Sequence, residues 1–94
     1  MIFVGMDVHD KTTTFCLFDP SLPKARQHRL MTVPTSEASF RQVLEPFEGQ
    51  CQVAFEVGIQ SQWVARIVRP LAEDVKVANA SRIPWLFRDG RKND

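Results

Sequence analysis

The chain lacks a large charge of either sign. Its 94 residues carry a formal net charge of only +1. Global charge therefore does not announce a nucleic-acid binder. It also lacks any apolar run long enough to span a bilayer. There is no charged-then-apolar leader, because Met1 runs directly into a strand pattern, and a cytoplasmic protein is expected. Cysteine is scarce. Cys16 and Cys51 both fall inside apolar strand patterns, which reads as buried thiols rather than a disulfide or redox pair. What is present is an ordinary globular balance, 44% hydrophobic and 24% charged residues, at a length that allows one small domain.

Charge is unevenly spread. Residues 1–61 hold five Lys/Arg and seven Asp/Glu, whereas residues 62–94 hold seven and four. The C-terminal third is the basic part.

The hydrophobic pattern gives the elements in order. Ile2 to Val8 reads as a strand apolar on both faces, and Thr12 to Phe18 as a second, rich in β-branched and aromatic residues. Only "HDK" separates them, so they form an antiparallel hairpin. "DPSLP" is a turn by composition. Arg26 to Val33 alternates loosely and reads as an edge strand. Thr35 or Ser36 caps a helix with Glu37 in its first turn, and Phe40, Val43, Leu44 and Phe47 keep helical spacing until Gly49. "CQVAFEV" at 51–57 is a fourth strand. Ser61 caps a second helix with apolar face Trp63, Val64, Ile67, Val68 and Leu71. "DVKVANA" is the fifth strand. The tail 81–94 is polar and basic around "IPWLF".

The β-β-β-α-β-α-β order has one simple solution. Short links give antiparallel neighbours, and strand–helix–strand gives parallel ones by right-handed crossover. A mixed five-stranded α/β sheet of spatial order 3-2-1-4-5, with flanking helices, is predicted. Strands one and four are then parallel neighbours, with Asp7 and Glu56 near their adjoining C-terminal ends. Open α/β sheets place ligand sites at such ends. Two adjacent carboxylates repel unless protonated or bridged by a cation, and Mg²⁺ or Mn²⁺ with oxygen ligands resolves the conflict. Taken singly, Asp7 reads equally as a turn cap near Lys11, and Glu56 as an exposed acid. Their shared placement favours a site.

His9 follows Asp7 by two residues and faces the same side of an extended strand. It is either a metal or phosphate contact or a turn residue. Gly58 gives the backbone room between the fourth strand and its helix. Arg82, Arg88, Arg91 and Lys92 are phosphate contacts or a solvated tail. Trp63 fits core packing; Trp85, in a polar segment, fits a surface or interdomain contact.

The segments "GMDVHDKTTTFCLFD", "AFEVGIQSQWVARIV", "VKVANASRIPWLFR" and "GRKND" resemble the N-terminal RuvC-like domain of one family. It is the DEDD transposases of the insertion-sequence class, bridge-RNA-guided recombinases with a ribonuclease H-like fold. The resemblance spans essentially the whole chain. It implies that Asp7, Glu56 and Asp94 are the first three acids of a catalytic metal site holding Mg²⁺ or Mn²⁺. Lys11, Arg82, Arg88, Arg91 and Lys92 are the expected nucleic-acid contacts. It further implies DNA strand cleavage and rejoining in a longer parent, with DNA, a guide RNA and further copies of the chain as partners.

The chain departs from the family pattern where Asp10 follows His9 and where Ala80 follows Asn79. The family's fourth acid would fall three residues past Asp94, and its serine-bearing C-terminal domain is not in this sequence. The expectation is a fragment, inactive by itself. Two other classes stay open. One is a non-catalytic nucleic-acid- or protein-binding module of the same fold. The other is an actin-like kinase or ATPase fragment, disfavoured because "HDK" has no glycine to let backbone amides approach phosphate.

Overall fold

The computed structural model describes residues 1–78. Asn79, Ala80, Arg82, Trp85, Arg88, Arg91, Lys92 and Asp94, with the roles expected of them, lie outside the described residues. Five strands and two α-helices are present: β1 (Ile2–Val8), β2 (Thr12–Phe18), β3 (His28–Pro34), α1 (Glu37–Leu44), β4 (Cys51–Glu56), α2 (Ser61–Val68) and β5 (Asp74–Ala78). The strands form one mixed sheet in the order β3-β2-β1-β4-β5, as the connection lengths predict. β1 is antiparallel to β2 and parallel to β4. β2 is antiparallel to β3, and β4 is parallel to β5. Among the described residues no helix is long and apolar enough to cross a membrane.

Strand alternation sorts the side chains onto two faces. Val4 and Met6 of β1, Phe15 and Leu17 of β2, and Cys51, Val53 and Phe55 of β4 are all buried on one face. Both helices cover that face. Phe40 of α1 meets Phe15 edge-on, with ring centroids 5.6 Å apart, and tilts against Trp63 of α2 at the same separation. Each large side chain buried this way contributes about 1.5–3 kcal/mol. Trp63 is thus partly buried and packed against the core, on the apolar face its helical spacing predicts. Cys16 and Cys51 are both buried and form no disulfide.

The element ends differ from the sequence reading, each for a local reason. Residues 24–26 form a 3₁₀ turn, so β3 begins at His28 rather than Arg26. α1 stops at Leu44. Pro46 has no amide hydrogen to continue it, and a 3₁₀ turn, Glu45–Phe47, follows. Gly49 then takes a φ of +75°, which turns the chain into β4. β4 ends at Glu56, not Val57. Of the two candidate caps of α1, Ser36 is the one used; its Oγ accepts from the Ser39 amide. Ser61 is not a cap. It is the first helical residue of α2, after Gln60.

Candidate acid site at the ends of β1 and β4

β1 carries Asp7 on the face opposite Met6. Its side chain is half exposed, and its Oδ1 lies 3.1 Å from His9 Nε2. The two-residue spacing on an extended chain brings these groups together. The parallel register pairs Met6 with Phe55, so the next residues along, Asp7 and Glu56, end neighbouring strands on the same face. Glu56 is exposed. On the other side, Asp7 pairs with Thr14, whose hydroxyl is 2.9 Å from that of Thr32 on β3. A polar row thus crosses four strands at one end of the sheet.

The turn that follows β1 is tied from three directions. The His9 amide donates to the Thr12 carbonyl at 3.0 Å. The His9 carbonyl accepts from the Thr35 hydroxyl at 2.6 Å. Thr35 and Thr13 hydroxyls are 2.8 Å apart. Thr35 has already given its proton to His9, so Thr13 is the donor in that pair. Thr13 is fully buried, so this short relay anchors the turn to the core. The Thr35 amide also donates to the Lys11 carbonyl at 2.9 Å. The glycine-free turn is therefore held by a residue beyond β3, with no positive φ at any described residue other than Gly49. The sequence reading missed Thr35 in this role. Its only signal was a threonine offered as a helix cap that Ser36 already supplied.

The same end of the sheet includes the β4–α2 loop. Gln60 Nε2 donates to Asp10 Oδ1 at 3.3 Å and joins this loop to the β1–β2 turn. Ser61 Oγ accepts from the Gly58 amide at 2.5 Å and donates to the Gly58 carbonyl at 2.8 Å. This closes the sharp bend after β4. Nothing lies within 4 Å of where a Gly58 Cβ would stand, so the predicted need for room there is not met by any close neighbour. Val57 and Ile59 are exposed on this loop, Ile59 completely.

Asp7 and His9 are in contact at 3.1 Å, Glu56 ends the neighbouring parallel strand, and Lys11 is exposed on the adjoining turn. Asp7 does not cap the turn near Lys11; it faces His9 instead. Among the described residues no group of three or more His, Cys, Asp or Glu is disposed to hold a metal ion. What the arrangement offers is two carboxylates and an imidazole, accessible to solvent, beside polar hydroxyls.

A separate groove of about 680 Å³ runs between α2 and β5, lined by Ser61, Gln62, Arg66, Arg69 and Val77 among others. Val77 pairs with Phe55, which places the groove on the helix-covered side, away from Asp7. The sequence reading did not single out these two arginines. No family model matches the chain, and no curated protein matches it at a significant level.

Proposed function

We propose that the chain is the ribonuclease H-like, RuvC-like N-terminal catalytic domain of a DNA transposase or recombinase, with Asp7 and Glu56 among its metal-holding acids. The observation that carries this reading is the placement of these acids at adjoining C-terminal ends of two parallel strands, in a sheet of order 3-2-1-4-5. The quoted motifs support it independently. The donor chemistry fits a hard divalent ion: exposed carboxylate oxygens, that of Asp7 beside His9.

When bound, Mg²⁺ or Mn²⁺ supplies Lewis-acid stabilisation of charge on a transferring phosphate oxygen. The chain's own contribution is positional. Asp7 is fixed by a central strand paired on both sides. Glu56 is fixed by β4, between β1 and β5. Lys11 adds an exposed cation for the phosphate backbone. DNA is the substrate class on this reading. A guide RNA and further copies of the chain are the partners, and the cytoplasm is the compartment.

The test is an excision assay on a plasmid carrying the coding region in its native genomic context. Asp7→Asn keeps the side chain's size and removes its charge. Recombination should fall by about three powers of ten or more, while circular dichroism of the purified chain stays unchanged. A folded Asp7→Asn variant that recombines at the parental rate defeats the catalytic reading. A non-catalytic binding module of the same fold would then take its place. That second reading is favoured by one observation, the lack of a third donor closing the site among the described residues.

A further inference from the structure

We propose that the sheet face turned away from both helices is a docking face, and that its occupant is the apolar run Ile83–Phe87 of this same chain. The proposal does not depend on the catalytic reading of Asp7 and Glu56.

Three observations carry it. The first is burial on the face without helices. Gly5 and Cys16 alternate with Val4, Met6, Phe15 and Leu17, so they point away from α1 and α2. The register sets them side by side, with Ala54 beyond Gly5 and Leu30 beyond Cys16. Cys16 is nevertheless only 5% exposed, and Gly5 is buried as well. Cys16 also stands outside the core cluster that the helices cover. The 3₁₀ turn between β2 and β3 buries none of its own residues. A single chain is present, so the cover comes from within it.

The second is the width of the covered strip. The row that holds Gly5 and Cys16 runs out to Leu30 on one edge strand, 70% exposed, and to Lys76 on the other, also exposed. Burial is thus confined to the middle of the sheet. That is the footprint of one segment; a second copy of the chain would cover the exposed leucine too. Beside the strip, Phe3, Phe18 and His28 stack across three strands, with ring centroids 6.1 and 4.7 Å apart. They offer an aromatic wall.

The third is supply. After Ala78 the sequence continues "NASRIPWLFRDGRKND". Its large apolar residues, Ile83, Trp85, Leu86 and Phe87, are gathered around one proline. A contiguous apolar patch in a polar segment marks a contact surface, and a tryptophan alone buries about 150–250 Å². Ala78 pairs with Glu56 on the same face. From there Cys16 is three strand spacings across and two residues back, about 16 Å. The stretch from Ala78 to Ile83 extends to about 17 Å, enough to bring the run over Cys16. Asp7 and Glu56 occupy the next row of this face, so the docked run also borders the acid site.

The test is alkylation of the native 94-residue chain by iodoacetamide, with each cysteine followed by peptide mass spectrometry. Cys51 lies in the helix-covered core and is the internal control. Changing Trp85, Leu86 and Phe87 together to serine should speed modification of Cys16 at least about tenfold, the mark of a locally uncovered site. Cys51 should stay as slow as in wild type. Wild type should also show nuclear Overhauser contacts from the Trp85 ring to Cys16 or Phe18, unchanged on dilution.

Equal modification of Cys16 in the two chains overturns the proposal. So does protection of Cys16 that falls on dilution, which assigns the face to a second copy. If both cysteines speed up together, the variant has unfolded and the wild-type contacts decide: their presence upholds the docking, and their absence overturns it.

Discussion

Asp7 and Asp19 are two acids that each meet a partner two residues further on, and they differ in what that partner closes. Asp19 follows β2 in a turn. Its Oδ1 accepts from the Ser21 amide at 3.0 Å and from the Ser21 hydroxyl at 2.6 Å. These bonds, hydroxyl first and then amide, hold its carboxyl below the ordinary 3.8. The loop is complete in itself, an Asx-type turn. Asp7 stands on a strand, where two-residue spacing spans a full pleat and no local backbone amide reaches the carboxylate. Its partner is an imidazole, and its neighbours are Thr14 on one strand and Glu56 on another. A carboxylate satisfied by its own turn shapes the backbone. A carboxylate left facing other side chains across a sheet is available for chemistry.

β2 runs between these two acids, so the most damaging test of the comparison is to remove its core anchor. Phe15 is fully buried against Phe40. Phe15→Ala should cost about 3–5 kcal/mol, read by urea unfolding, and should loosen both acid sites together. A loss below about 1 kcal/mol would mean that the helix-covered face does not support the strand that links them.

A more selective break is Thr35→Val. It keeps shape but removes the hydroxyl that bridges buried Thr13 to the His9 carbonyl. The Thr13 hydroxyl is then orphaned, at about 1–3 kcal/mol. Hydrogen exchange should rise at His9 and leave the Asp19 turn unchanged. Equal loosening of both turns would show that the anchoring at the Asp7 end is not specific.

The smallest effect belongs to Asp19. Ser21→Ala removes the hydroxyl bond and should raise the Asp19 carboxyl towards its ordinary value in a carbon-13 NMR titration. The folded pKa lies below the unfolded one. The turn's contribution is therefore present above the unfolded pKa and is lost as pH falls through the folded value, below 3.8. In Ser21→Ala that acid-side loss should shrink. An unmoved Asp19 titration would remove the hydroxyl as the main cause of the depression.

Much of the site was legible because it rests on local periodicity. The Asp7–His9 contact follows from the alternation of any extended strand. Glu56 joins them because short links and right-handed crossovers leave one simple strand order. The ends of α1 and β4 were less legible. Pro46 stops one helix by lacking an amide hydrogen, and the Gly58–Ser61 hydroxyl bend fixes where β4 gives way to α2. In each case neighbouring residues could have served equally well by composition.

By itself the sequence determined the sheet order, the face that carries the core and the strand ends that carry the acids. Those depend on hydrophobic period and connection length, which are properties of the chain. Only the tertiary structure decided that Thr35, not a glycine, stabilises the β1–β2 turn, and that Gln60 ties this turn to the β4–α2 loop through Asp10. These bonds join residues 26 and 50 positions apart. Their partners are chosen by which polar groups the folded sheet leaves within reach, and nothing in the spacing of the residues along the chain encodes that choice.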